Sequence, residues 1–201
     1  GVPGGIPTSN RKKDTLMAEK KAILLTAGAL NLSGSGEALD KLKKKAALLP
    51  NAQTAGLAEL AAALGGVQVD QAGLQAACEG DAALLLLQGG EDALAAALEA
   101  ADRRTLLIVA TDNGVALHGL AVNSKAGAVD RAVNAQDIAV TIATIVDLPI
   151  DATCTGAIIY QALKNPNLKL DEIKKPKEAL IRMESVIQRD NREPWEKHDC
   201  A

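Results

Sequence analysis

An acid, an amide and a glycine follow directly on an apolar run in TLLIVATDNGVALHG, residues 105–119, and a histidine comes soon after them. Leu106, Leu107, Ile108, Val109 and Ala110 form the short unbroken apolar stretch that marks a strand covered on both faces. Asp112 and Asn113 stand just beyond its carboxyl end, where α/β enzymes place their reactive groups. Two neighbouring oxygen donors on such a turn can grip a hard divalent cation, and His118 is close enough in sequence to join them. The plainer alternative is a strand-ending turn, since Asp and Asn both tolerate left-handed geometry and cap local amides.

The elements that must position this turn are read from periodicity. Strands are expected over 22–30 and 82–87 alongside 105–110, neighbouring and mostly parallel in one sheet, with Asp92 and Asp112 at its carboxyl-terminal edge. Helices are expected over SGSGEALDKLKKKAALL (33–49), over 51–64 with Gly65 and Gly66 as the stop, and over 71–78, 91–101 and 135–147; a short strand is expected at 67–69. This alternation predicts an α/β fold, a mainly parallel sheet with helices on both faces. The Gly- and Pro-rich stretch 1–20 reads as an arm, 21–165 as the α/β domain, and 166–201 as a helix and tail.

Strand, Asp-Asn-Gly turn, His-Gly, loop and then QDIAVTIATIVDLPI (136–150) resemble, in that order, the carboxyl-terminal part of sulfatases and related hydrolases of the alkaline phosphatase superfamily. In that superfamily a T/S-D-N/H-G turn supplies metal ligands and a D-I-A-P-T-I helix ends in G-L-P. Upstream, LLLLQGGEDALAAALEAADRRTLLIVATDNG (84–114) is similar to the alkaline phosphatase order, in which a strand ends in E-G-G-x-x-D and a helix leads to the next metal-bearing strand. The resemblance covers residues 81–156. It implies a shortened alkaline-phosphatase-like core and a metal-dependent hydrolase of phosphate or sulfate esters, with Asp112, Asn113, His118 and Asp92 around a cation. Such a cation would polarise the ester oxygen and lower the nucleophile's pKa.

Several positions depart from the pattern. Gln88 stands where the phosphatases have glutamate, Ala95, Ala96 and Ala97 replace the region of their histidine, and residues 22–32 hold none of the acids that sulfatases take from the first strand. Asn113 is the sulfatase-like choice, and it suits calcium or magnesium better than zinc. A ligand set so short of carboxylates implies weak metal binding or none.

The superfamily attacks with a Ser, Thr or modified Cys at a helix amino terminus, where the helix dipole favours an alkoxide. Thr54, in PNAQTAGLAELAAALGG, has that position and reads either as the nucleophile or as an N-cap. PTSNR (7–11) loosely matches the sulfatase C/S-x-P-S-R segment but lies in the arm and lacks the cysteine. NLSGSGE (31–37) joins a strand to a helix, so its amides could cradle a phosphate; Glu37 and the missing lysine-serine pair favour simple turn chemistry.

Composition sets the frame. The chain has 201 residues, 48% hydrophobic and 23% charged, with no Phe, one Trp and one Tyr, so alanine and leucine must fill its core. Against the superfamily's length it can be only a reduced version. A net charge of −3 gives no general attraction to nucleic acid or to acidic membranes, and neither is expected as a partner. No apolar run approaches the roughly twenty residues of a membrane span, and the opening residues have no signal-peptide core. Cys78, Cys154 and Cys200 form no C-x-x-C pair, which points to a reducing cytoplasm; the resemblance keeps export open, because family members are often exported.

The carboxyl-terminal stretch carries a different signal. EALIRMESVIQ (178–188) sets Leu180, Ile181, Met183, Val186 and Ile187 on one side and charges on the other, the pattern of an amphipathic helix that packs on its own domain or on a partner. Trp195 is the natural anchor in a chain this poor in aromatics, whereas His198 and Cys200 alone make no metal site. Leu180, Met183, Ile187 and Trp195 are therefore expected to contact a partner chain or a second copy in a homo-oligomer. Two functions follow: the ester hydrolase, with Thr54 as nucleophile, or a non-catalytic binding or assembly subunit that retains the fold.

Overall fold

The computed structural model describes residues 20–151 and 153–164. Along the chain, β1 (Lys21–Thr26), α1 (Glu37–Lys44), β2 (Ala46–Leu49), α2 (Leu57–Ala63), β3 (Val67–Gln68), α3 (Leu74–Cys78) and β4 (Leu84–Gln88) come first. They are followed by α4 (Glu91–Ala100), β5 (Thr105–Thr111), β6 (Gly114–Gly119), β7 (Gly127–Ala128), α5 (Ala135–Ile145) and a 3-10 turn, Tyr160–Ala162. The arm, PTSNR, and the carboxyl-terminal segment with Leu180, Met183, Ile187, Trp195, His198 and Cys200 lie outside the described residues.

The strands form one seven-stranded mixed sheet in the order β3-β4-β1-β5-β6-β2-β7, in which β6 alone runs against the others. The expected trio of neighbouring parallel strands is present: β1 pairs with β4 on one side (Leu24 beside Leu86) and with β5 on the other (Leu24 beside Ile108). Side-chain alternation divides the core between the two faces. Ala22, Leu24, Leu106 and Ile108 pack on one side with Leu57 of α2 and Ile138 and Ile142 of α5. Ile23, Leu25, Leu107 and Val109 face the other side with Leu39 of α1, Leu74 of α3 and Leu94 of α4. All are essentially buried, and each Leu or Ile so placed contributes about 2 kcal/mol relative to exposure. Lys21 opens β1 only 5% exposed; its Nζ donates to the Gly80 and Ala82 carbonyls, each at 2.6 Å, and pins the α3–β4 loop.

Two expected boundaries are corrected, and one unexpected strand is added. Residues 46–49 form strand β2, not the end of the first helix; α1 stops at Lys44, and Ala46 to Leu49 pair with β6 in register Leu49 to Val115. Packing in the sheet outweighs the helix propensity of Ala and Leu here. The helix expected over 51–64 begins only at Leu57, behind Gly56 at φ 83°, and spans seven residues. Finally, residues 114–119 fold straight back on β5 as β6 in a two-residue hairpin. The hairpin ends at Gly119, φ 97°, where a Cβ would run into the Thr105 carbonyl oxygen.

One carboxylate ties α5 to the loop that follows it. Asp137, 8% exposed, completes a capping box with Asn134: the Asn134 N–H donates to Asp137 Oδ2 (3.1 Å) and the Asp137 N–H to Asn134 Oδ1 (2.9 Å). The same carboxylate accepts from the Ala157 N–H at 2.8 Å and faces the Arg131 guanidinium at 3.8 Å. Arg131 in turn donates to the Ile158 carbonyl at 3.0 Å. Asp137→Ala leaves two amide donors and a guanidinium without their acceptor and is expected to cost about 3 kcal/mol, whereas Asp137→Asn keeps an acceptor and should cost about 1 kcal/mol. Urea unfolding midpoints check this; equal losses for the two variants would show that the side chain acts by packing alone.

Candidate functional site

The turn between β5 and β6 separates the two residues expected to act together. Asn113 is held at both ends: its Nδ2 donates to Asn31 Oδ1 at 2.7 Å, and its Oδ1 lies 2.7 Å from the Thr111 hydroxyl. That hydroxyl also lies 2.8 Å from the Gly114 carbonyl, so the turn is closed by its own side chains. Asp112 points the other way. Its N–H donates to the Gly28 carbonyl at 3.2 Å, and a Cβ on Gly28 would stand 3.2 Å from its Oδ1, so the glycine leaves room for the carboxylate.

Asp112 faces a hollow of about 100 Å³ at the carboxyl ends of β1 and β5, shared with Thr26, Thr54, Gly28 and Glu59. Thr54 and Asp112, far apart in sequence, are thus brought to one cavity. Thr54 sits in the turn before α2, where its carbonyl accepts from the Leu57 N–H at 3.0 Å, so it is neither the first residue of the helix nor its side-chain cap. Two further hollows adjoin the first along α2. One, about 550 Å³, is lined by Gly56, Glu59, Asn134 and Gln136; the next, about 490 Å³, lies between α2 and α5 with Leu60, Leu64, Val140 and Ile150 in its walls. Glu59 and Leu60 bridge successive hollows, which together make a groove.

Asp92 and His118 are not brought to this cavity. Asp92 lies in the first turn of α4, which packs on the opposite face of the sheet and follows β4, two strands from β5, so it shares only the carboxyl-terminal edge with Asp112. The hairpin carries His118 to the other end of β5, beside Leu107 and Ala46. Its Nδ1 is buried and makes no hydrogen bond to the described residues. Burial lowers its pKa below the ordinary value, and the nearby charges of Lys45 and Lys41 push the same way. Among the described residues no three His, Cys, Asp or Glu side chains converge as a metal-ligand group.

The glycine turn before α1 is also filled from within the chain. A Cβ on Gly36 would stand 2.6 Å from Glu91 Oε1, so a carboxylate from α4 already lies against the start of α1, where a phosphate would have to sit.

Two members of the cavity were missed in the sequence: Thr26, at the end of β1, and Glu59, in the first turn of α2. The signal for Glu59 was Gly56, which marks the helix start two residues beyond Thr54 and sets Glu59 one turn into the helix. No family model matches the chain, and neither a curated protein nor a solved structure matches it significantly.

The direction of the His118 shift fixes a pH dependence. A histidine whose folded pKa is depressed is protonated more readily in the unfolded chain, so its contribution is present above about pH 6.5 and is lost as the pH falls from there toward the folded pKa. Nuclear magnetic resonance titration of His118 should give a midpoint below about 6.5, and His118→Gln should flatten the acid-side fall in melting temperature that begins there. A midpoint at or above the ordinary value would contradict the assigned burial and cation contacts.

Proposed function

We propose that the chain is a non-catalytic binding module, a reduced relative of the alkaline phosphatase and sulfatase core whose groove along α2 holds a cationic, partly apolar partner. The charge of the groove carries this reading. Its charged lining residues are Glu59, Asp112 and Asp151, and no Lys, Arg or His among the described residues lines it. Like charges about 8 Å apart near a protein surface repel by roughly 2 kcal/mol, so a phosphate or sulfate ester meets a barrier where an ammonium or guanidinium meets attraction. Ester hydrolysis at Thr54 would also need a positive group to stabilise the departing charge, and the lining side chains offer none. The family reading rests on the sequence resemblance over residues 81–156.

The hydrolase remains the second reading, because Thr54, Asp112 and Glu59 share one cavity and could meet a calcium or magnesium ion there through hydroxyl and carboxylate oxygens. A fluorescein-labelled amphipathic peptide of Lys and Leu residues separates the two readings. A binding module should take it up saturably, with affinity falling several-fold between about 50 and about 500 mM salt. Glu59→Lys should weaken binding about tenfold, equivalent to about 1.4 kcal/mol. Salt-independent binding, or a magnesium- or calcium-dependent turnover of nitrophenyl phosphate or sulfate that Thr54→Val abolishes, would overturn the binding-module reading.

A further inference from the structure

We infer that the groove between α2 and α5 receives residues 174–187 from a second copy of this chain, an inference that rests on the binding-module reading and names its partner. The pocket of about 490 Å³ falls within the roughly 300–1,000 Å³ usual for built ligand sites and is walled by aliphatic side chains, Leu60, Leu64, Val140 and Ile150 among them. It continues through Glu59 to the hollow that holds Asp112, so the groove has an apolar end and an acidic mouth. Residues 174–187 carry the complementary order. Lys174, Lys175 and Lys177 come first, and Leu180, Met183 and Ile187 follow at intervals of three and four. The stretch holds only Glu178 and Glu184 as acids.

Polarity along the chain favours the groove of a second copy over the chain's own. The acidic mouth lies at the carboxyl end of β5, beside Ala110 and Asp112. The apolar pocket extends toward the other edge of the sheet, where the Lys20–Asp147 ion pair (3.4 Å) holds the residues just after α5 to the start of β1. The described chain leaves at that same edge: the Lys164 N–H donates to the Ala121 carbonyl at 3.0 Å, and Leu163 bridges Val122, just past the end of β6. Entering its own groove directly from that side would set the lysines at the apolar end and the Leu180–Ile187 stripe over the carboxylates, and entering it at the acidic mouth would first require residues 165–173 to cross back along the length of α5. Entry from a second molecule at the acidic mouth matches both halves, with lysines over Glu59 and Asp112 and the stripe in the pocket. Two copies that exchange these segments satisfy both grooves and close as a dimer.

Light scattering on the full chain tests this. The full chain is expected to be a dimer. Ala63→Arg, a change at an exposed pocket residue, and Met183→Asp are each expected to give monomers with the parent melting temperature. Mixing these two variants should restore dimers, since one still offers a groove and the other a segment. A full chain that stays monomeric across a wide concentration range, or variants that stay dimeric, would overturn the inference. So would monomers that both variants destabilise, the signature of a segment packed on its own domain. If the Lys-Leu peptide still binds a monomeric chain and Glu59→Lys weakens it, the named occupant is wrong and the binding-module reading stands; if neither peptide nor second copy binds, both fall.

Discussion

The sealing of both faces of the central strands governs what the rest of the molecule can do. β1 lies between β4 and β5, and every residue from Lys21 to Leu25 is buried. With no phenylalanine available, this seal is made from leucine, isoleucine, valine and alanine, whose small volumes require helices to sit close on the sheet. Polar side chains are thereby driven to the strand ends. The carboxyl ends of β1 and β5 are where Thr26, Thr54, Glu59 and Asp112 meet, not because each was placed separately but because the two apolar layers leave them nowhere else nearby.

The parts of this arrangement that local sequence determines were legible before the structure. The unbroken runs that become β1, β4 and β5 could be read as buried parallel strands, and Gly89-Gly90 before an alanine-rich stretch marked α4. Ala46 to Leu49 and Gly114 to Gly119 were not legible as strands. The first follows a lysine-rich helix in residues that favour helix, and the second is too short and too uniformly apolar to show an alternation. β2 is held between β6 and β7, and β6 between β5 and β2, so the identity of β2 in particular is fixed by contacts distant in sequence. That one hidden hairpin moved His118 the length of a strand from Asp112, which is why a compact set of candidates in sequence became a dispersed set in space. Thr54 and Asp112 converge for the opposite reason: β2 and the turn after it return the chain to the same sheet edge.

Charge is distributed to saturate internal positions rather than to attract anions. Glu91 lies against the start of α1, Asp137 closes the start of α5, and the groove beside α2 carries carboxylates alone among its charged lining residues. Helix starts that serve phosphate in other folds are here supplied with the chain's own acids. The binding-module proposal extends that pattern to the groove, where Glu59 and Asp112 would meet the cations of a partner.

The two outermost strands deserve a separate reading. β3 and β7 each pair over just two residues, Val67–Gln68 against β4 and Gly127–Ala128 against β2. Among the described residues, a foreign strand approaching either margin finds a ladder of only two residues on which to template its backbone. Fibrillar growth is thus blunted at both flanks by geometry alone, without a proline or a guarding lysine in either strand. Crowded or partly purified chains that do meet are left to engage through their helical layers, where contact is made side chain by side chain and can be reversed.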